Sequence, residues 1–400
     1  AFDNPVGNAA VYEKMLAGLP AFAALCGDVR AGRLPVSVTG LAHIHKTHFA
    51  AAAGAACGRR IVILAADEGE AARFAEDLSA FGLTPLLLPA RDLALRSVES
   101  ASREYEQQRL GVLARMAAGD FDAVVAYADA AAQFTLPPAV LAARTFTLRA
   151  GVPLPVRDLP RALAAAGYER VEQVEAPGQF AVRGGIIDLY PSASPAPVRL
   201  ELWGDTVDTL AYYDVLTQRR TDATDAVAVT PAAEILVDDP AALAARIEEL
   251  TASLRGKAAD LARRNLLADA DRLRGGARPA SFDKYIPLIF DRPASLFDYL
   301  TPAAAARPED AALVFVSEPA HVRERLRAAE WQLGEDIKAL LAEGQLCRGL
   351  TDYALDAAGF QIALERHGCI LLDTFARSGL DIKLNSLYNV SARQLPVWSG

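Results

Sequence analysis

Residues 40–47 have the spacing of a phosphate-binding loop, but one glycine of that loop is replaced. They read G-L-A-H-I-H-K-T, against the pattern G-x-x-x-x-G-K-[ST], whose backbone amides cradle the phosphates of a nucleotide. Gly40, Lys46 and Thr47 match the pattern, and His45 stands where the glycine before the lysine belongs. Backbone must approach phosphate closely at that position, so we expect the imidazole-bearing His45 to obstruct it. The sequence predicts a vestigial P-loop that binds no ATP.

Other residue types that do chemistry stand in patterns that favour structural roles. Asp67 and Glu68 follow an apolar run and are potential magnesium ligands. A P-loop motor usually carries its acid on a later strand, so we expect these two to cap a helix. His43, His45 and His48 have no cysteine nearby and match no zinc pattern. No serine, histidine and aspartate stand in a catalytic motif, so we expect no catalytic residue, no metal and no cofactor.

Composition excludes several classes of protein. The chain has 400 residues and a net charge of −9, so two to three compact units and weak stand-alone binding to nucleic acid are expected. Its four cysteines are far apart and form no C-x-x-C pair, which argues against a zinc site and favours a reduced, cytoplasmic setting. Charged residues interrupt the N-terminal apolar stretch, and no uncharged apolar run is long enough to span a membrane.

The elements that position the loop alternate between strand and helix up to about residue 130. The predicted strands lie at 36–39, 61–66, 85–88 and 123–127, and the predicted helices at 46–56, 68–80 and 101–117. Short apolar strands separated by helices indicate a parallel sheet that is covered on both faces. The same pattern returns after Pro279, where residues 314–316 and 369–372 have the composition of buried strands.

A different pattern occupies the middle of the chain, from about residue 145. Residues 179–182 and 186–190 flank two glycines, and apolar and charged side chains alternate in residues 198–202. Strict alternation indicates an antiparallel sheet with one exposed face. Residues 240–274 are helical in pattern and rich in charge, which predicts a solvated helix pair. The sequence thus predicts one α/β domain that is interrupted by an inserted α+β domain.

Two segments of the inserted region resemble the bacterial transcription-repair coupling factor family. Residues 178–191 read G-Q-F-A-V-R-G-G-I-I-D-L-Y-P, and residues 198–205 read V-R-L-E-L-W-G-D; the first is shared in outline with the excision-repair protein UvrB. The resemblance covers most of the chain and is most specific at 171–219. It implies a RecA/P-loop-like parallel-sheet domain with a degenerate nucleotide site. It also implies that the inserted α+β domain is a UvrB-interaction domain, which binds the damage-recognition ATPase UvrA.

The resemblance assigns the partner-binding role to two arginines. Arg170 stands where the UvrB-type pattern has an arginine that faces UvrA, and Arg183 directly precedes the glycine of the F-x-V-R-G motif. UvrB has a further arginine at the position of Ala181, so part of the UvrB contact is absent or replaced. Alternation along the strand predicts that Ala181 shares the face of Arg183, while Phe180 and Val182 point to the core.

The resemblance also distinguishes this chain from UvrB, which has an intact P-loop and a long aromatic β-hairpin that clamps DNA. Residues 88–124 contain only Tyr105 and Phe121 as aromatics and have a helical pattern. The coupling factors imply a non-catalytic N-terminal module whose helicase-like, ATP-dependent motor lies beyond Gly400, with RNA polymerase and double-stranded DNA as partners of the whole protein. A UvrB-like nucleotidase that binds ATP and damaged DNA remains the alternative, and a purely structural lid over a motor is a third possibility. The predicted divisions are 1–144 and 231–385 for the α/β domain, 145–230 for the insert, and 386–400 for the start of a linker.

Overall fold

The computed structural model of the protein describes residues 14–96, 103–153, 158–302, 310–375 and 379–390. Within these residues the strands are, in chain order, β1 (Val36–Thr39), β2 (Ile61–Ala65), β3 (Pro85–Leu88), β4 (Ala123–Tyr127), β5 (Phe146–Arg149), β6 (Glu169–Arg170), β7 (Gln179–Arg183), β8 (Ile186–Leu189), β9 (Val198–Trp203), β10 (Thr206–Tyr213), β11 (Arg220–Ala223), β12 (Ala226–Val229), β13 (Leu313–Ser317), β14 (Cys369–Asp373) and β15 (Ser386–Asn389).

The α-helices of the described residues connect or flank these strands. They are α1 (Pro20–Arg30), α2 (His43–Cys57), α3 (Glu68–Ala80), α4 (Glu104–Ala118), α5 (Ala128–Ala132), α6 (Pro138–Arg144), α7 (Leu159–Ala165), α8 (Pro240–Ala252), α9 (Lys257–Arg274), α10 (Ile286–Ile289), α11 (Pro319–Ala342) and α12 (Ala357–His367). Short 3-10 helices lie at Phe282–Tyr285 and Leu296–Tyr299. The first two residues of the predicted helix 101–117 lie outside the described part of the chain.

The strands before and after the inserted region form one parallel sheet. Its order is β15-β1-β14-β13-β2-β4-β3, and all of these pairings are parallel. Both faces are covered, because Val62 and Leu64 of β2 join one core cluster while Ile61 and Ile63 join the other. The continuous apolar runs of the sequence therefore fill both sides of a buried sheet. The predicted α/β domain is confirmed.

The inserted region forms a second, smaller sheet. Its order is β11-β10-β9-β8-β7-β6, with antiparallel pairings apart from the parallel pair β6–β7. Phe180, Leu189 and Val198 face a separate core, which Leu163 of α7 also joins. β5 and β12 pair antiparallel, so the chain enters and leaves the inserted region side by side. The predicted α+β insertion is confirmed.

Helix α4 of the parallel-sheet domain holds the inserted region in place. Gln107 Nε2 donates to Ala232 O at 2.5 Å, and the hydroxyl of Ser192 donates to Gln107 Oε1. Just after the inserted region, Arg109 Nε donates to Glu234 Oε1 at 2.8 Å, and both of these side chains are buried. Breaking a buried ion pair of this kind typically costs about 3–5 kcal/mol, so the chain is firmly attached to α4 where it leaves the inserted region.

Two sequence-based predictions differ from the structure. Residues 386–400 are predicted as the start of a linker, but Ser386–Asn389 pair in parallel with β1, and residues 391–400 lie outside the described part of the chain. This strand is too short and too polar to give a periodic apolar signal. The predicted solvated helix pair corresponds to α8 and α9, whose inner sides are nonetheless buried in the larger core, for example at Leu243 and Leu266.

Candidate functional site

The connection from β1 to α2 is much shorter than a phosphate-binding loop. Helix α2 begins at His43, with Ala42 as its N-cap residue, and the amide of Lys46 donates to Ala42 O at 3.0 Å. His45 therefore lies inside the first helical turn. The amides of Gly40 and Leu41 donate to Asp373 O of β14. Most of the segment that would wrap a phosphate is thus helix or is bonded to the neighbouring strand.

Lys46 is paired with a carboxylate of its own chain. Its Nζ lies 2.5 Å from Glu318 Oε1 and 3.3 Å from Ser317 Oγ, and only 3% of its side chain is exposed. Glu318 Oε1 also accepts hydrogen bonds from the backbone and hydroxyl of Thr374, at 3.0 and 2.6 Å. Burial by itself would raise the pKa of Glu318, but the bonds from Lys46 and Thr374 hold it below its ordinary value. Any phosphate at Lys46 would have to displace this carboxylate.

Glu318 reaches this position through an unusual backbone conformation. Its φ is +45°, in the left-handed region that residues with a side chain seldom adopt. Such a conformation typically costs about 1–3 kcal/mol and persists where surrounding contacts determine it. The bonds to Lys46 and Thr374 supply those contacts, so the carboxylate is a fixed part of this edge of the sheet.

Thr47 is turned towards a different element from Lys46. In an intact P-loop its hydroxyl would bind magnesium, but here Thr47 Oγ1 donates to Asp77 Oδ2 of α3 at 3.1 Å. His43 Nδ1 lies 3.3 Å from the same carboxylate, and the His43 ring stacks on Phe74 at 4.6 Å. His45 is half-buried and makes no hydrogen bond through Nδ1 among the described residues. The side chains of the motif therefore do not point towards one common binding site.

The acidic residues after β2 act as a helix cap, as predicted. Asp67 is the N-cap of α3, and its Oδ1 accepts from the amide of Glu70 at 2.8 Å. Glu68 follows in the first turn, where a negative charge favours the helix. In the described ranges, no group of three or more histidine, cysteine, aspartate or glutamate residues is placed to hold a metal ion.

The outer face of the inserted sheet carries Arg183. Phe180 and Val182 pack in or against the core of this region, so the neighbouring positions face outwards, as alternation predicts. Ala181 is nonetheless only 1% exposed, whereas 49% of the Arg183 side chain is exposed. Arg183 ends β7 at a two-residue turn, where Gly184 has φ +61°, a conformation that favours glycine.

A buried carboxylate positions Arg183 on this face. Asp188 is fully buried and accepts from Arg183 Nη2. It also accepts two hydrogen bonds from Arg199, with Nε–Oδ1 at 2.6 Å and Nη2–Oδ2 at 2.9 Å. These bonds raise the pKa of Arg199, whose guanidinium lies 4.6 Å from the centre of the Tyr213 ring. Asp188 therefore pairs with two arginines.

Arg170 does not share the face of Arg183. It is exposed on the edge strand β6, in register with Phe180 of β7, and residues in register point to the same side of a sheet. Strand spacing and rise place its Cα roughly 11 Å from that of Arg183. The structure thus brings the two predicted arginines near each other on opposite sides of the sheet edge.

Trp203 is the exposed residue that the residue-based predictions missed. It is the last residue of β9, and it is 82% exposed. The signal was present in V-R-L-E-L-W, because alternation places Arg199, Glu201 and Trp203 on one side of the strand. Because tryptophan is apolar, its residue type by itself does not indicate this outward-facing position.

The geometry so far defines a class of protein: a parallel α/β sheet whose loop after β1 is closed, interrupted by a mostly antiparallel sheet with an arginine on its outer face. Residues 146–235 match the family model described as the UvrB interaction domain. The chain is 28% identical over 389 residues, or 95% of its length, to the transcription-repair-coupling factor of Bacillus subtilis. It is 30% identical over 308 residues to that of Myxococcus xanthus and 26% identical over 242 residues to that of Escherichia coli.

The chain belongs to the transcription-repair-coupling factor family, as the resemblance implies, and it contains a UvrB interaction domain. The matched regions cover 32%, 25% and 20% of the three relatives, so the chain spans about a third or less of their length. None of the helices in the described part of the chain combines the length and the apolar character that crossing a membrane requires.

Proposed function

We propose that this chain is a UvrA-binding module, which recruits nucleotide excision repair to RNA polymerase that is stalled at DNA lesions. The match of residues 146–235 to the UvrB interaction domain and the similarity to coupling factors over 95% of the chain support this proposal. The observation that carries it is the half-exposed Arg183, held on the outer side of the inserted sheet by the buried Asp188. A guanidinium fixed in this way is preorganised for a partner.

In this proposal Arg183 makes the main contact and Arg170 a second one at the sheet edge. Arginine is enriched among interface residues that dominate binding, because it pairs with carboxylates through two hydrogen bonds and stacks on rings. A partner that touches both residues has to reach around β6, since the two lie on opposite sides of the edge. In this proposal the inserted domain spans 145–230, between the flanking parts 1–144 and 231–385.

The proposed module works without a nucleotide of its own. Residues Gly40, His45, Lys46 and Thr47 are interpreted as a P-loop remnant, because Lys46 is neutralised by Glu318 and Thr47 is bonded to Asp77. We assign no catalytic residue and no cofactor to this chain. ATP-driven translocation, and contacts with RNA polymerase and double-stranded DNA, are assigned to other parts of the coupling factors, acting in the cytoplasm.

Substitution of Arg183 tests the proposal. We expect Arg183→Ala to weaken UvrA binding at least tenfold in a calorimetric titration, which corresponds to about 1.4 kcal/mol or more. The variant should remain folded, because Asp188 keeps both hydrogen bonds from Arg199.

The chain offers a matched control for this experiment. Arg325 has 50% of its side chain exposed and also pairs with a carboxylate, that of Asp129, in the parallel-sheet domain. Arg325→Ala should leave UvrA affinity unchanged. Equal affinities for the wild type and both variants would refute the assignment of Arg183, and no binding by the wild-type chain would refute the function itself.

A further inference from the structure

We propose that Trp203 is a second anchor residue on the face that carries Arg183, and that UvrA meets this face with an acidic site beside a shallow apolar pocket for the indole. This inference rests on the proposed function and adds a residue that neither the motif nor the family resemblance singles out. We call the set Arg183, Ile186, Glu201, Trp203 and Arg220 the Arg-Trp surface.

Strand register places Trp203 on the side of the sheet that carries Arg183. Arg183 pairs with Ile186 of β8, and Ile186 pairs with Glu201 of β9. Paired residues point to the same side, and so do residues two apart along one strand. Trp203 is two residues beyond Glu201, so it lies on the outer face, whereas Arg170 does not.

Trp203 also lies at the same end of the sheet as Arg183. The amide of Leu202 donates to Gly185 O at 2.9 Å, which joins the end of β9 to the turn that follows Arg183. Two strand spacings and two residues of rise separate the Cα atoms of Trp203 and Arg183 by roughly 12 Å. Both side chains are long, so a single patch of a partner protein can cover them together.

Among the described residues, Trp203 does not join the hydrophobic core of the inserted region. Leu200 and Leu202 turn to the core of the inserted region, and Trp203 is 82% exposed beside a turn. Tryptophan is highly buried on average, because burying its side chain removes a large apolar area from water. Tryptophan and arginine together are the residue types most enriched where interfaces derive their affinity.

Charge on this face favours an acidic partner. In the ion pairs of this face, Arg183, Arg199 and Arg220 share the two carboxylates of Asp188 and Glu201. The hydrogen bond from Arg220 lowers the pKa of Glu201, and this pair stays charged and partly exposed. Three guanidiniums that share two carboxylates, within a chain of net charge −9, are suited to a further carboxylate from a partner.

The experiment compares Trp203→Ala and Trp203→Phe with the wild type in calorimetric titrations against UvrA. We expect the alanine variant to bind at least tenfold more weakly and the phenylalanine variant to bind within about threefold of the wild type, because an apolar ring remains. Trp331→Ala is the matched control, since Trp331 is 66% exposed on α11, and it should bind as the wild type does. All variants should share the wild-type melting temperature.

The outcomes separate this inference from the proposed function. If Arg183→Ala weakens binding and Trp203→Ala stays within twofold of the wild type, the function stands and the role of Trp203 is wrong. If the wild-type chain does not bind UvrA, both fail.

Labelling with 5-fluorotryptophan tests for direct contact. The fluorine resonance that Trp203→Phe removes should shift or broaden when UvrA is added, and the resonance of Trp331 should not. A Trp203 resonance that is unchanged at saturating UvrA overturns the inference.

Discussion

Two clusters of this molecule each pair a cation with a carboxylate, but they differ in which partner is buried. At the edge of the parallel sheet, Lys46 pairs with Glu318 and is 3% exposed. On the inserted sheet, Arg183 pairs with Asp188 and is 49% exposed. In the first cluster the cation is buried, and in the second the carboxylate is buried. The buried Lys46 is not accessible to a ligand. The guanidinium of Arg183 is accessible, because its buried partner lies on the protein side of the pair.

Burial also decides what each pair contributes to stability. A buried ion pair that loses one partner leaves an uncompensated charge, which typically costs about 3–5 kcal/mol. An exposed pair contributes about 0–1 kcal/mol. The first cluster should therefore govern the stability of the parallel-sheet domain, and the second should govern recognition with a smaller effect on folding.

The largest expected effect follows from removing the buried lysine. Lys46→Met should lower the free energy of unfolding by about 3 kcal/mol, because Glu318 then loses its cation beside a largely buried edge. Urea unfolding of the 400-residue chain measures the change. The double variant Lys46→Met/Glu318→Gln should recover most of the loss, since neither charge remains, and UvrA affinity should not change in either variant.

The pH dependence of the stability difference between the wild type and Lys46→Met tests whether the charge of Glu318 causes that difference. The pKa of Glu318 in the folded protein lies below its ordinary value of 4.5. The Lys46–Glu318 pair therefore contributes its full stabilisation above pH 4.5. The contribution is lost as the pH falls through the lower, folded pKa. The stability gap between the wild type and Lys46→Met should therefore narrow below pH 4.5. A gap that is constant from pH 7 to pH 3, or a single variant as stable as the wild type, is incompatible with this account.

A smaller loss of stability is expected when Asp188, which accepts hydrogen bonds from Arg183 and Arg199, is substituted. Asp188→Asn should lower the free energy of unfolding by about 2 kcal/mol, because Arg199 and Arg183 lose a charged acceptor in a fully buried position. The same variant should weaken UvrA binding, because Arg183 is no longer held in place. Chemical unfolding and calorimetry measure the two quantities separately.

Glu201→Gln provides the comparison for Asp188→Asn. Glu201 pairs with Arg220 on the same face, but the two side chains are 40% and 36% exposed. Its substitution should cost less than about 1 kcal/mol. If the two variants lose equal stability, burial is not what distinguishes these pairs.

Local patterns were enough to predict much of this architecture. Continuous apolar residues such as those of β2, and the later change to alternation, predict a parallel sheet with an inserted antiparallel one. Alternation also places Arg183 outwards and Phe180 inwards. These features depend on residues that are neighbours in the chain, so a single sequence contains the information.

Features that depend on distant segments could not be predicted in this way. Helix α2 starts at His43 instead of residue 46, while Gly40 is bonded to Asp373 and Lys46 to Glu318, partners about 270 or more positions away. Arg170 is assigned to its side of the sheet by a parallel pairing with β7, which no local pattern encodes. Register and long-range bonds are set by packing of the whole domain.

Restoring the missing glycine distinguishes a blocked loop from a loop that has become helix. If the imidazole alone obstructed a preserved cradle, His45→Gly would recover ATP binding. In the structure residue 45 lies in the first turn of α2, and Lys46 is already paired. His45→Gly should therefore bind no more ATP than the wild type at millimolar concentration, and helix α2 should lose up to about 1 kcal/mol because glycine disfavours helix.

Calorimetry with ATP and magnesium, beside thermal melting of both proteins, measures these two effects. Tight, magnesium-dependent binding by the wild type would establish the UvrB-like nucleotidase instead. Binding by the variant alone would show that the cradle survives and that His45 blocks it. Binding by neither protein is the result expected if Glu318 and the early start of α2 have closed the site.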